Sequence, residues 1–448
     1  MIPSEMGAAP YQNWNERIHA ECYRPNAELG NFERISFNIG PTLFSWMARC
    51  DEETCRLIIA QDRANVQRYG VGNAMSQAYN HTILPLASRE DKITQVVWGI
   101  ADFEARFGRK PQGMWLPETG VDLETLAVLA DQGIEYTILA PWQSNPDSID
   151  PTEPYRVILP GGKRIIAFFY NRELSAGVSF NASLTTNADT FAQNALPGCF
   201  NPEKTQRNEP QLVMLASDGE LYGHHQQFRD RFLAHLVNGA SKQAGLVCTY
   251  PGLWLKNHSV RRSTGINERT SWSCYHGVLR WMGECACTPG DGRWKAYLRR
   301  SLNNLAAAID TLYVETLAPM GLDPWSLRNQ YIHVMLGQVK LAELLHQVAK
   351  RHLPQDDLER VRLLLEAQRE RQRMFTSCGW YFEDFSRIEP RNNVAYAAQA
   401  VYLTRLATGV DLSYPLMGDL RRVVSHRSGL RADLVYQRKL QDASGGLD

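Results

Sequence analysis

The feature that most constrains the fold is an alternation of short apolar segments and amphipathic helices between about residues 35 and 250. The strand-like segments are "ISFNI", "GMWL", "EYTILA", "RIIAFFY" and "QLVMLAS". Between them, "KITQVVWGIADFEARFG" places Ile93, Val97 and Ile100 on one helical face and ends at Gly108. This order predicts parallel strands with helices outside them, either as a barrel or as an open doubly wound sheet.

The pattern changes to helical periodicity alone after about residue 290. Four segments have helical spacing and composition: "WKAYLRRSLNNLAAAIDTLYVETL", "QYIHVMLGQVKLAELLHQVAKRH", "DDLERVRLLLEAQRERQRMF" and "NVAYAAQAVYLTRLA". We therefore predict an α/β domain over residues 1–260 and a helical domain over residues 261–448. The polar, turn-rich stretch 197–210 is predicted to be a loop.

Composition argues against several classes of partner. Lysine and arginine together number 48, as do aspartate and glutamate, so neither nucleic acid nor an anionic membrane surface is expected as a partner. No stretch reaches the roughly 18 apolar residues of a membrane span. The nine cysteines are scattered; Cys285 and Cys287 are too close for a C-x-x-C site and have no second such pair. We therefore expect no metal, no cofactor and a reduced, cytoplasmic setting.

Two carboxylates follow strand-like segments. Glu118 comes after "GMWL", and Asp218 comes after "QLVMLAS". In a parallel α/β domain both would lie at the carboxyl-end rim, where such enzymes build their sites, and a pair there suits glycoside hydrolysis. Each residue also has a purely structural explanation instead of a catalytic one. A glutamate such as Glu118 is favourable near the start of a helix, and Asp218 precedes a glycine in a pair common in turns.

These segments resemble glycoside hydrolase family 57, the α-amylase and glucanotransferase family. "MWLPE" resembles its third motif and "ASDGELYGHH" its fourth. "WNERIHAECYRPN", "GNAMSQAYNHTILPLA", "SWSCYHGVLRW" and "TSCGWYFEDF" resemble a branch described as α-amylase/α-mannosidase-like, so the resemblance covers about residues 11–400. It implies a (β/α)7-type barrel followed by an α-helical domain.

The resemblance also implies a function. Glu118 would be the nucleophile and Asp218 the general acid/base of a retaining glycoside hydrolase or transglycosylase. The substrate would be an α-linked glucan or oligosaccharide, and no cofactor would be needed. Retention implies that the two carboxyl groups lie about 5–6 Å apart.

Several further residues are candidates for substrate binding: His81, Trp115, His224, Trp272, His276, Trp281 and Trp380. The spacing of Trp272, His276 and Trp281 is also typical of a helix packed in a core, and Trp380 also fits an aromatic core. His81 also fits a structural histidine. His224 and His225 follow Asp218 closely, but adjacent histidines point in different directions, so no metal site is predicted there.

One family motif has no counterpart. Members open with a strand that carries a His-Gln-Pro type motif, and "ISFNI" would align with the second barrel strand. We therefore expect either that the start codon is assigned too late or that the barrel is incomplete at its N-terminus. If this chain folds cooperatively, "APYQNWNERIHAECY" is the segment expected to cover the gap.

Two rival functions remain open. One is a metal-dependent carbohydrate deacetylase or α-mannosidase, which metal analysis would distinguish. The other is a non-catalytic sugar-binding remnant, which a His-Gln-Pro segment encoded upstream would argue against. The sequence does not decide the glycosidic linkage, the choice between water and sugar as acceptor, or the oligomeric state.

Overall fold

The computed structural model describes residues 5–146 and 148–445. Its strands are β1 (Ser76–Gln77), β2 (Met114–Trp115), β3 (Tyr136–Leu139), β4 (Ser144–Asn145), β5 (Tyr155–Ile158), β6 (Arg164–Phe169) and β7 (Arg262–Ile266). Its first twelve helices are α1 (Trp14–Ile18), α2 (Arg24–Glu28), α3 (Pro41–Cys50), α4 (Glu52–Tyr69), α5 (Arg89–Phe107), α6 (Leu123–Asp131), α7 (Arg172–Phe180), α8 (Ala188–Thr190), α9 (Pro202–Gln206), α10 (Arg229–His235), α11 (Ser241–Gln243) and α12 (Pro251–Asn257). The later helices are α13 (Trp294–Leu317), α14 (Pro324–Met335), α15 (Leu341–Ala349), α16 (Gln355–Arg373), α17 (Cys378–Tyr381), α18 (Ile388–Thr408), α19 (Ser413–Leu420) and α20 (Ala432–Ser444).

The chain forms two compact units. The first contains the residues up to Gln77 and the segment Phe103–Glu268, and the second contains Ala78–Asp102 and the residues from Arg269 onward. The boundary near residue 268 lies close to the predicted one at 260. The inclusion of Ala78–Asp102 in the second unit was not predicted.

Parallel pairing in the first unit follows chain order. A bridge joins Phe37 to Ala74, β1 pairs with β2, a bridge joins Gly113 to Tyr136, and β3 pairs with β6. All four pairings are parallel, as the strand–helix alternation predicts. The sheet continues in the order β3-β6-β5-β7-β4, with β5 antiparallel to β6 and parallel to β7.

Two predicted strands form no regular ladder. Within "ISFNI", Phe37 makes a single bridge. Within "QLVMLAS", the backbone is bonded to three different kinds of partner: Leu212 N donates to the carbonyl of Thr152, Met214 O accepts from a backbone N–H beyond β6, and Ala216 N donates to a serine hydroxyl. The segment therefore belongs to no regular strand.

Several helices of the N-terminal half of the chain begin and end where the sequence signals them. Asp51 caps α4 by accepting from Thr54 N, and Asp122 caps α6 in the same way. Gly108 follows α5 with a φ of +66°, a conformation that favours glycine. The stretch predicted as a loop at 197–210 contains α9, which Asn201 caps.

The second unit is helical, as predicted, with one break. The stretch predicted as a single helix over "QYIHVMLGQVKLAELLHQVAKRH" divides into α14 and α15 at Gly337, whose φ is +71°. A left-handed glycine ends a helix because it satisfies the last carbonyls without a Cβ clash. The unit packs around α13, α16 and α18, with Leu302 and Val401 fully in the core.

None of the helices in the described residues is both long enough and apolar enough to cross a bilayer.

Candidate active site

Glu118 lies in a strained turn three residues beyond β2. Its backbone has φ 56° and ψ 22°, and the next residue, Thr119, has φ 49°. Left-handed backbone is uncommon outside glycine, and for a β-branched residue such as threonine it is an outlier. Two such residues in succession cost about 1–3 kcal/mol each, and strain of this kind clusters at functional sites.

The side chain of Gln143 holds this turn in place. Its Oε1 accepts from the Thr119 hydroxyl and from Ala140 N, and its Nε2 donates to Thr119 O, each at 2.8 Å. Gln143 is fully buried, so these bonds are shielded from water and strong. The sequence analysis did not single out Gln143. Its only signal is its position just beyond the end of β3, in "ILAPWQ".

Backbone pairing brings the Asp218 segment to the same edge as the Glu118 turn. Strands β2, β3 and β6 are parallel neighbours, and Asn171 lies just past the carboxyl end of β6. Asn171 N donates to Met214 O at 2.8 Å, and Asp218 follows four residues later. Glu118 is half-buried and Asp218 is exposed. A carboxyl separation of about 5–6 Å stays a prediction.

A second carboxylate accompanies Asp218. Glu220 lies in the same short helical turn, Gly219–Leu221, and its pKa is raised by burial and by the nearby charge of Asp218, against the opposing effect of His224. Burial and His224 in turn lower the pKa of His225, and Asp218 opposes that shift. Glu220 lies within the segment that resembles the fourth family motif, but the local sequence predicts no role for it.

The N-terminal helices pack directly against this turn. Glu21 Oε2 lies 2.6 Å from His224 Nδ1, Cys22 Sγ donates to Gly219 O, and Asn26 Nδ2 donates to the carbonyl of Tyr222. A Cβ on Gly223 would lie 2.0 Å from the carbonyl oxygen of Glu21. The "NWNERIHAECY" segment therefore supports the loop that carries Asp218.

These contacts bear on the predicted role of His224. Its side chain is 10% exposed, and it faces Glu21 on one side and the ring of Trp14 on another, with centroids 6.1 Å apart. His224 is thus held by a mostly buried hydrogen bond to Glu21. A contact of His224 with substrate stays a prediction.

Aromatic residues lie at the same edge of the first unit. Trp142 follows β3, Tyr170 follows β6, and their rings meet edge to face with centroids 6.1 Å apart. The Arg172 guanidinium lies 5.2 Å from the centre of the Trp142 ring. Trp142 is half-buried, as is the predicted sugar-binding residue Trp115 on β2. Sequence reasoning did not select Trp142, although it follows a strand just as Glu118 does.

The other predicted substrate residues lie in the second unit. Trp281 and Trp380 are 0% exposed and present no surface to a ligand in this structure, so substrate binding by them stays a prediction. Trp380 has Arg299 over its ring at 3.9 Å and donates from Nε1 to the carbonyl of Lys295. Both tryptophans are core, the alternative that their spacing left open.

Three further residues of that unit that were predicted to bind substrate are not fully buried. His81 has a φ of 54°, and its Nδ1 lies 2.7 Å from the hydroxyl of Ser377. His276 Nδ1 lies 3.3 Å from Cys285 Sγ. Trp272 is half-buried. Substrate binding by His81 and Trp272 stays a prediction, and His276 faces sulfur.

Comparison with protein families gives two matches that together cover most of the chain. The model of glycosyl hydrolase family 57 matches residues 8–254, and a model described as a domain of unknown function matches residues 291–446. The first match covers more than half of the 448 residues.

Individual proteins resemble the chain over very different lengths. The 1,4-α-glucan branching enzyme of Thermococcus kodakarensis is 41% identical over 54 residues, which is 12% of this chain and 8% of that enzyme. The exo-type maltose-forming amylase of Pyrococcus sp. ST04 superposes with a TM-score of 0.74 at 16% identity, over 96% of this chain and 81% of that one. The 4-α-glucanotransferase of Thermococcus litoralis gives a TM-score of 0.56 at 14% identity, over 87% of this chain and 56% of that one. The predicted fold class, a (β/α)7-type barrel followed by a helical domain, is confirmed by these likenesses.

Proposed function

The chain belongs to glycosyl hydrolase family 57, and from this premise we propose that it is a retaining glycoside hydrolase or transglycosylase that acts on an α-linked glucan. In this proposal Glu118 is the nucleophile and Asp218 is the general acid/base. The known proteins that resemble the chain include a branching enzyme, an amylase and a glucanotransferase, all of which act on α-glucans by name.

The observation that carries the proposal is the left-handed backbone at Glu118 and Thr119. Neither residue favours this conformation, and a buried glutamine, Gln143, is used to maintain it. A nucleophile must be held within fractions of an ångström of its target, so a braced turn at a strand end supplies what the chemistry needs. A merely structural turn at this place would be expected to use glycine.

The reaction would proceed in two displacements. In the first, a Glu118 carboxylate oxygen bonds to the anomeric carbon, the glycosidic C–O bond breaks, and Asp218 gives its proton to the leaving oxygen. In the second, Asp218 takes a proton from water or from an acceptor hydroxyl, and that oxygen displaces Glu118 from the same carbon. Two inversions give net retention.

Glu220 would set the electrostatics around Asp218. Burial and then the nearby charge of Asp218 raise the pKa of Glu220, so the two carboxyl groups interact electrostatically. We therefore assign Glu220 as a positioning residue for Asp218.

The test uses maltooligosaccharides of several lengths with the full chain. We expect products whose first-formed anomer is α, as followed by proton NMR, and a loss of turnover in Glu118→Gln and Asp218→Asn. Glu203→Gln, an exposed glutamate on α9, is the matched control and should keep full activity. A β anomer as the first product, or full turnover by Glu118→Gln, would refute the assignment. Release of acetate from an acetylated oligosaccharide, with none from maltooligosaccharides, would favour the deacetylase alternative.

A further inference from the structure

Four potential metal ligands converge in the second unit, far in sequence from Glu118 and Asp218. They are Cys274, His276, Cys285 and Cys287, and their ligand atoms all lie within 4.8 Å of one another. They fall between the two regions that family models match, residues 8–254 and 291–446. We propose that these residues form a tetrahedral site for one zinc ion with three thiolate ligands and one imidazole ligand.

The distances agree with the edges of a zinc tetrahedron. Zinc–sulfur bonds of about 2.3 Å and zinc–nitrogen bonds of about 2.0–2.1 Å give edges of about 3.8 Å between sulfurs and about 3.6 Å between sulfur and nitrogen. The observed separations are 3.5 Å from Cys274 Sγ to Cys285 Sγ, and 3.3 Å and 3.4 Å from His276 Nδ1 to the sulfurs of Cys285 and Cys287. These three of the six edges lie within a few tenths of an ångström of the ideal values, and the ligand atoms of the other pairs lie within 4.8 Å of one another.

Two similar backbone turns present the ligands in pairs. In "CYHG", Gly277 N donates to Cys274 O at 3.1 Å, and in "CACT", Thr288 N donates to Cys285 O at 3.0 Å. Gly277 has a φ of +74°, and a Cβ there would lie 2.4 Å from a backbone oxygen. Each turn thus carries one ligand at its first position and another two residues later. The sequence motif is C-x-H followed by C-x-C, a pair of pairs.

Buried positive charge beside the thiols is an independent observation. Lys295 on α13 is 0% exposed. No carboxylate within the described residues comes within ion-pair distance of Lys295, whose ammonium donates to the Thr288 hydroxyl at 3.4 Å. Arg280 is also buried, and it donates to the carbonyl of Cys287.

A zinc ion with three thiolates would balance this charge. The complex carries one net negative charge, whereas three neutral thiols carry none. An unpaired buried ammonium is costly, so the cations favour the metal-bound form. Because all four ligands come from the protein, the site would be closed and structural and would tie the two turns together ahead of α13.

Metal analysis of the full chain tests the proposal. The protein is expressed in zinc-supplemented medium and purified with a reductant and without a chelator. We expect about one zinc per chain by mass spectrometry, and tetrahedral thiolate absorption bands after exchange with Co²⁺. Cys287→Ser and His276→Ala should lose the metal and the cobalt bands. Cys50→Ser, an exposed cysteine at the end of α3, should keep both.

Three outcomes would overturn the proposal. One is a folded wild-type chain that takes up neither Zn²⁺ nor Co²⁺; this readout holds even if a variant fails to fold. Another is metal bound equally by the wild type, Cys287→Ser and His276→Ala. The third is a bond between Cys274 and Cys285 in reductant-purified protein, which would make the cluster a redox pair.

Discussion

The bracing of the Glu118 turn by Gln143 gives the sharpest prediction. Gln143→Ala removes three buried hydrogen bonds, each 2.8 Å long, to Thr119 and Ala140. At about 1 kcal/mol each, their loss should lower the free energy of unfolding by about 3 kcal/mol. For a unit of this size that corresponds to a fall in Tm of about 6–12 °C.

The effect on catalysis should exceed the effect of destabilisation alone. Without the hydrogen bonds from Gln143, Glu118 and Thr119 can leave the left-handed conformation. The strain released is at least about 1 kcal/mol for each residue, or about 2 kcal/mol in total. The competent conformation then becomes a minority state, and kcat should fall at least about 30-fold. KM should change little because Gln143 is fully buried. Gln143→Glu keeps both acceptor bonds but loses the donor to Thr119 O, so it should recover part of the rate.

The control is a glutamine of similar burial in the same unit. Gln61 on α4 donates to Ala27 O and accepts from Glu33 N, so Gln61→Ala should also lower Tm but should leave kcat unchanged. The assay is steady-state hydrolysis of a maltooligosaccharide with thermal melting in parallel. A threefold change in kcat corresponds to about 0.7 kcal/mol of transition-state stabilisation. If Gln143→Ala loses stability yet keeps kcat within about threefold of the wild type, Gln143 stabilises the fold but does not position Glu118 for catalysis.

Three shorter predictions concern the same unit. Glu118→Gln should abolish turnover while Tm changes little, because the amide keeps the volume and can still hydrogen-bond; a large fall in Tm would make Glu118 structural. Glu220→Gln should raise the free energy of unfolding at pH 7. Because the folded-state pKa of Glu220 is raised above its ordinary value of 4.5, the wild type loses stability as the pH rises above 4.5. Urea unfolding at pH 4 and pH 7 should show the gain at pH 7 only, and an equal gain at both would refute this. Gly223→Ala should cost about 2–4 kcal/mol because its Cβ would strike Glu21 O, whereas Gly198→Ala, in open space, should be close to neutral; equal melting temperatures would contradict the close approach.

Local patterns in the sequence predict strands β2, β3 and β6 and most of the helices, and they mark Glu118 by its position after a strand. The conformation of Glu118 is beyond such reasoning, because glutamate and threonine give no local signal for positive φ. The residue that enforces it, Gln143, is 24 positions away from Thr119. Partners at such separations are set by tertiary packing, which a single sequence does not display.

The cysteine cluster illustrates another limit. Cysteine spacing alone shows one close pair, Cys285 and Cys287. The second pair of ligands contains His276, which the family resemblance predicts to bind sugar. The motif C-x-H followed by C-x-C is visible in the sequence, but only the fold shows that its two halves meet.

Ala78–Asp102 belongs to the second unit because of charged contacts. The apolar periodicity of α5 gives no sign of these contacts. The apolar face of α5 suits a barrel helix, yet Asp91, near its start, is buried against two arginines of the helical unit. Its carboxylate accepts from Arg371 at 2.5 Å and lies 3.0 Å from the Arg328 guanidinium. Trp98, two turns later, is fully buried and donates from Nε1 to Arg328 O.

Asp91→Asn tests whether this ion network holds the segment. The arginines keep the pKa of Asp91 below its ordinary value of 3.8 although burial alone would raise it. Removing the charge leaves two buried guanidiniums with less compensation, which should cost about 3–5 kcal/mol. Glu359→Gln, which breaks an exposed pair with Arg362 on α16, should cost less than about 0.5 kcal/mol.

The pH dependence of Asp91→Asn gives a second readout. Because the folded-state pKa is depressed, the stabilisation by Asp91 is present above 3.8 and is lost as pH falls below it. The difference between wild type and Asp91→Asn should therefore be largest near neutral pH and should shrink in acid, whereas that of Glu359→Gln should stay small throughout. Denaturant unfolding at pH 3 and pH 7 measures both. A difference as large at pH 3 as at pH 7 would mean that Asp91 acts through packing, and the segment would then be held by Trp98 and its apolar neighbours.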